Sequence, residues 1–330
     1  AAGDELARVP ARCVLRAPAT GEGAGEEAYL RLARELVTQR ALVAQVGAGM
    51  AFMAPYLESL PDASAELACV DLYWEEEERV LLAHAAAARR MAARQAQVDA
   101  AAAAADVPAD ALRDAAALVC SRVFGGGSGS ELVPLMDLAN HAPTADAAAR
   151  IAPDEDGGYA MVALRDISEG EEITHSYRGG ADATGGGEGG LGLLPAEEAL
   201  RDYGFLPTGM MNAVAAHAAG AREDVAVAAA ELAEDAAELC SFLEPGVSLV
   251  EALAEALALC ASDLALLGGS GAEGEDGRPL GERAEAAIWY RLTRRLFFAA
   301  AQVAYAEGEK APAVVDAVGE LALRSGGLGA

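Results

Sequence analysis

The sequence predicts an α+β chain: a region of short strands, interrupted early by a helical insertion over about residues 22–122, and then an all-α C-terminal lobe. Three observations carry this reading. Apolar residues recur at helical spacing before residue 122 and again beyond 213. Between Gly125 and Tyr177, glycine-rich turns cut the chain into apolar runs too short for helices. Composition agrees, because 53% of residues are hydrophobic but only 5% are aromatic. Much of the apolar content is alanine, which favours helix while burying little surface per residue.

Element by element, residues 4–16 hold short apolar stretches around Pro10, as a pair of brief strands would. From Glu26 the period changes: Tyr29, Leu32, Leu36 and Val37 share one helical face, and helix continues past the acidic start at Trp74-Glu75-Glu76-Glu77-Glu78. Residues 84–105 are alanine-rich helix formers. Pro108, after Asp106, opens a helix that carries Leu112, Leu118 and Val119 toward Arg122. The runs 131–136, 147–152, 158–164 and 171–176 read as strands. After the glycine-rich stretch 179–192, Pro195 begins a short helix that Gly204 ends. Beyond 213, Ile288, Leu292 and Leu296 recur every four residues, and Val314, Val315, Val318 and Leu321 follow. This divides the chain into domains at 1–209 and 210–330.

Charge and cysteine usage remove several classes of function. With 24 basic against 52 acidic residues the formal net charge is -28, which repels a phosphate backbone, so nucleic acid is not expected as a partner. An acidic surface can steer a basic segment of a protein partner, although a solvated face is the plainer reading. Lys310 is the only lysine, and arginine in its place together with the alanine excess reads as coding bias rather than function. Cys13, Cys69, Cys120, Cys240 and Cys260 form no Cys-x-x-Cys pair, so neither a zinc site nor a disulfide framework is signalled, and no metal is expected. No apolar run approaches the roughly 20 residues of a membrane span. His84, His175 and His217 stand without partners in the sequence and are read as structural or exposed.

Chemistry concentrates in three places. Residues 132–141 read Leu-Val-Pro-Leu-Met-Asp-Leu-Ala-Asn-His, residues 169–177 Glu-Gly-Glu-Glu-Ile-Thr-His-Ser-Tyr, and residues 202–205 Asp-Tyr-Gly-Phe. Each alone is ordinary: an Asn-His turn, a Gly-Glu-Glu hairpin turn, a helix end packing its aromatics. In this order they resemble the SET domain. The Asp-x-x-Asn-His and Asp-Tyr-Gly-Phe forms resemble its Rubisco large-subunit methyltransferase branch, protein-lysine methyltransferases with a helical substrate-binding C-terminal lobe. Residues 3–10 look like the strand after the family's N-terminal Gly-x-Gly turn, which is missing here because the sequence opens past it on Ala1. Residues 52–61 look like its inserted helical segment, and Ser121-Arg122-Val123-Phe124 like its arginine-bearing segment.

The resemblance implies S-adenosyl-L-methionine as cofactor and a protein presenting a lysine as substrate. It implies Tyr177 as the catalytic tyrosine, and Asn140, His141, Arg122 and Asp137 as cofactor-binding, Asp137 supporting the Asn-His turn. Tyr203 and Phe205 would wall the lysine channel. Tyr203 speaks for lysine as acceptor, because the family's histidine-methylating relative departs from Asp-Tyr-Gly-Phe at the tyrosine. Arg178 stands where the family often has glycine, residues 179–192 are lengthened, and the zinc-binding cysteines of many histone methyltransferases are missing. A SET-derived binding module without catalysis stays open beside the enzyme, as do plastid or cytoplasm for the compartment and the oligomeric state.

Overall fold

The structure, a computed structural model, describes residues 1–17, 27–47, 52–82, 85–124, 130–142, 146–177, 199–205, 249–268 and 281–305. The helical readings over 213–248 and 306–330 lie outside these, as do Arg178, the 179–192 stretch, His84, His217 and Cys240. The chain forms two compact units: Ala1–Tyr73 with Arg90–Gly185 and Arg201–Gly204, and Trp74–Arg89 with Gly186–Leu200 and Phe205–Ala330.

In the first unit, two three-stranded antiparallel sheets form from the short runs. Strand β1 (Glu5–Val9) pairs with β6 (Tyr159–Ala163), which pairs in turn with β5 (Ala149–Pro153). Strands β2 (Leu15–Arg16) and β3 (Val123–Phe124) flank β4 (Glu131–Leu132). The β5–β6 turn is set by Asp154, whose Oδ1 accepts from the N–H of Asp156 at 3.0 Å and of Gly158 at 2.7 Å. Gly158 is obligatory there, since a Cβ would lie 2.4 Å from the Val9 carbonyl oxygen.

The run 131–136 stops as a strand after Leu132. Pro134 has no N–H to donate to a ladder, and Leu135 turns the chain at φ +72° into a 3₁₀ turn over Met136–Leu138. The reading of 171–176 as a strand also needs correcting. Its bonds are shared out, with Thr174 accepting from Ala148 and Ala149 on one side and His175 pairing with His141 on the other, so no ladder forms among the described residues.

The helical insertion follows its apolar periodicity closely. Helix α1 (Ala28–Val46) buries Leu30, Leu32, Ala33 and Leu36, with Tyr29 and Val37 packed partly buried against the same core. Two short helices, α2 (Ala54–Ser59) and α3 (Ala63–Glu66), precede a 3₁₀ turn over Asp71–Tyr73. Helix α4 (Glu76–Val80) opens with the Glu75–Glu78 capping box. Helix α5 covers Ala85–Ala105 and α6 Ala109–Arg122, the latter burying Leu112, Leu118 and Val119 against α1. Asp106 takes a left-handed φ of 54° between them, a conformation aspartate tolerates better than most residues, and Pro108 caps α6 rather than sitting inside it. A second core joins the sheets, with Val9, Met136, Ala149, Tyr159 and Met161 buried together.

In the second unit, α7 (Leu249–Gly268) and α8 (Glu282–Tyr305) pack on each other, burying Cys260, Leu264, Ile288, Tyr290 and Leu292. Buried Asp263 on α7 accepts from Arg291 at 2.7 Å and Arg295 at 2.5 Å on α8, and Arg291 also donates to the Leu81 carbonyl. Paired in this way, the carboxylate is not an uncompensated buried charge. No helix among the described residues is long and apolar enough to cross a membrane.

Gly204 closes a π-helical turn over Ala199–Tyr203 at φ +72°, and a Cβ there would stand 3.0 Å from the Cys69 carbonyl carbon. Gly204→Ala combines left-handed strain with a backbone clash, so we expect a loss of about 1–3 kcal/mol in urea denaturation. An unchanged midpoint would contradict this close approach.

Candidate active site

The site is built where two extended segments of the first unit run side by side. Ala142 N–H donates to the His175 carbonyl at 3.0 Å, His175 N–H to the Asn140 carbonyl at 3.0 Å, and Tyr177 N–H to His141 Nδ1 at 3.1 Å. The 3₁₀ turn over Met136–Leu138 feeds the first segment, and the turn at Ser168–Glu171 precedes the second. In an extended segment, residues two apart share a face, so His175 and Tyr177 point the same way.

Rings gather around Tyr177. Its centroid lies 4.6 Å from Tyr203, 5.0 Å from His175 and 5.1 Å from His141, and Phe124 stacks on His175 at 5.6 Å with planes 16° apart. The Tyr177 hydroxyl donates to the Ala139 carbonyl at 3.2 Å, and burial raises its pKa. Arg122, Phe124, Asp137, His175, Tyr177 and Tyr203 line one cleft together with Ser121, Val123, Ile151 and Ser176.

One wall of that cleft is charged. Arg122 Nη1 donates to the Asp137 carbonyl at 2.9 Å, and Tyr56 on α2 donates to Asp137 Oδ2 at 2.6 Å. Arg122 Nε and Asp137 Oδ1 are buried, with no hydrogen-bond partner among the described residues. Burial raises the Asp137 pKa against the pull of Tyr56 and Arg122. Among the described residues, no group of His, Cys, Asp and Glu could hold a metal ion.

The residues singled out from the sequence thus fall into three positions. Arg122, Asp137, Tyr177 and Tyr203 share the cleft. Asn140 and His141 form the turn beside it: Asn140 is exposed and donates to Glu172 at 2.6 Å, while His141 is half-buried with its pKa lowered by burial. Phe205 belongs to the second unit, where its N–H donates to the Ala199 carbonyl. Tyr56 and His175 join the site without having been singled out. For His175 a signal was present, namely its place two residues before Tyr177.

The family profile described as SET domain matches residues 16–178. Residues 16–178 of this chain form a SET domain. Among solved structures, one titled "Structure of Rubisco LSMT bound to AdoMet" aligns with 98% of this chain and 83% of its own, at a TM-score of 0.51 and 14% identity, a likeness of fold. The α+β reading therefore stands as a SET fold. A search of curated protein sequences finds no significant match. SET domains typically methylate protein lysines with S-adenosylmethionine, and the matched span holds both crossing segments of this SET domain.

His175 gives the SET domain a titration of its own. Burial, reinforced by His141, lowers its pKa from 6.5 to about 4. The unfolded chain therefore takes up this proton near pH 6.5 and the folded chain only near pH 4, so its contribution to stability is complete above pH 6.5 and falls as pH drops through that window. The full span amounts to about 3 kcal/mol. In urea denaturation between pH 7 and 4, His175→Phe is expected to lose stability less steeply than the parent. Equal pH slopes would refute the buried neutral imidazole.

Proposed function

We propose that this SET domain transfers a methyl group from S-adenosyl-L-methionine to a lysine of another protein at the cleft beside Tyr177. The observation that supports it most is Tyr177 itself, set at the crossing of 139–142 with 174–177 and walled by Tyr203. In this reading Arg122 meets the cofactor carboxylate, Asp137 supports the turn, and Asn140 and His141 hold the cofactor at the crossing. When bound, the cofactor supplies an electrophilic methyl on a sulfonium.

The chain's own residues must then prepare the amine. A lysine ammonium has a pKa near 10.4, so presenting neutral amine near pH 8 costs roughly 3 kcal/mol. An aromatic wall of Tyr177 and Tyr203, joined in this reading by Phe205, excludes water and disfavours the charged form, which lowers that cost. The Tyr177 hydroxyl oxygen orients the amine, and with the Ala139 carbonyl it offers partial negative charge to the methyl in transit. The segment 210–330 is read as the lobe that grips the protein substrate, with the α7–α8 hairpin as its described part.

Incubation with isotope-labelled S-adenosylmethionine and proteins of the source cell, followed by peptide mass mapping, is expected to place label on lysine. Label confined to histidine, or none, would refute the proposal. Tyr177→Phe keeps the ring and removes the hydroxyl, so turnover should fall on the order of a hundred-fold with cofactor affinity little changed. Asn140→Ala should instead weaken cofactor binding first. A Tyr177→Phe rate within about threefold of the parent, under 1 kcal/mol in the barrier, would make the tyrosine a packing residue.

A further inference from the structure

A charged cluster adjoins Tyr203 and ties the helical insertion to it. Arg94 on α5 is 13% exposed, and its Nη1 contacts Asp202 Oδ1 at 2.7 Å and Asp71 Oδ1 at 3.2 Å. Its Nη2 donates to Cys120 Sγ on α6, and its guanidinium lies 5.2 Å from the Tyr29 ring centroid on α1. Asp71 is fully buried, with Oδ2 unpartnered among the described residues. Asp202 immediately precedes Tyr203, whose ring is 4.6 Å from that of Tyr177.

Two features separate this cluster from ordinary core glue. Burying an ion pair seldom stabilises more than apolar residues of the same size, so stability alone is a poor account of it. What the cluster supplies is position: a planar, forked guanidinium can engage two carboxylates and an aromatic face at once, as an ammonium cannot. Arg201 also pairs with Asp202, but it moves with the same turn and cannot anchor it. Arg94 anchors from outside, and Gly204 rests on Cys69 and Val70 just before Asp71.

We propose that Arg94 is a positioning residue for the acceptor channel, holding Asp202 and through it the Tyr203 ring against Tyr177. Its catalytic consequence rests on the methyl-transfer reading of that cleft. The hold itself does not, so the two are tested separately.

Trypsin digestion of the full chain, timed by mass spectrometry, compares cleavage after Arg201 with cleavage after Arg150 on β5. Arg94→Met is expected to speed cleavage after Arg201 about tenfold or more while leaving Arg150 unchanged, the mark of local opening. Arg94→Lys loses the fork that engages both carboxylates while leaving the Arg201–Asp202 pair untouched, and serves if Arg94→Met does not fold. An unchanged rate after Arg201, or an equal rise at Arg150, overturns the proposal. On the acceptor protein found by labelling, Arg94→Met should lower kcat about tenfold with S-adenosylmethionine affinity unchanged, and that loss should vanish in a Tyr203→Ala background. A loss that persists undiminished there sinks the route through Tyr203. If the parent transfers no methyl group, the functional reading fails, and the cleavage rates alone decide the hold.

Discussion

The parallel pairing of His141 with His175 is the constraint on which the site depends. It joins segments 34 residues apart, neither of which belongs to a ladder there, and the flanking bonds from Ala142 and Tyr177 fix which faces meet. With that register, Tyr177 comes under the Ala139 carbonyl and between two imidazoles. A slip of one residue would turn Tyr177 to the opposite face, because successive side chains in an extended segment alternate. The start of strand β5 and the residue before it secure the arrangement from its other side through the bonds of Ala149 and Ala148 to Thr174.

The helical insertion does more than fill volume. It sends two polar side chains into the region around the crossing: Tyr56 to Asp137, and Arg94 to Asp202. Both contacts are buried or half-buried, where a lost partner costs more than at the surface. Arg94 reaches from α5 to Cys120 on α6 and to Asp71. Chemistry placed on irregular segments is in this way braced by regular ones.

Much of this was legible beforehand, and the reasons differ by element. The periodicity of Leu32 and Leu36, and of Leu112 and Leu118, reports burial directly, because a helix face either is or is not apolar. The three segments carrying Asp137, Asn140-His141, Tyr177 and Tyr203 were legible through their order along the chain. Segment 171–176 misled because alternating residues look alike whether their bonds form a ladder or are divided between two neighbours. His175 was passed over since a lone histidine gives no hint that Phe124, 51 positions earlier, stacks on it. Tyr56 with Asp137, and Arg94 with Asp202, are separated by 81 and 108 residues, and no local pattern reports such pairs.

Binding of S-adenosylmethionine at the crossing beside Tyr177 can be tested on the four histidines the chain contains. Their imidazole signals, labelled with ¹³C and assigned with His141→Gln and His175→Gln, are followed while the cofactor is titrated in. Saturable shifts of the His141 and His175 signals with one shared affinity are expected. Saturable binding that leaves both signals in place would contradict this.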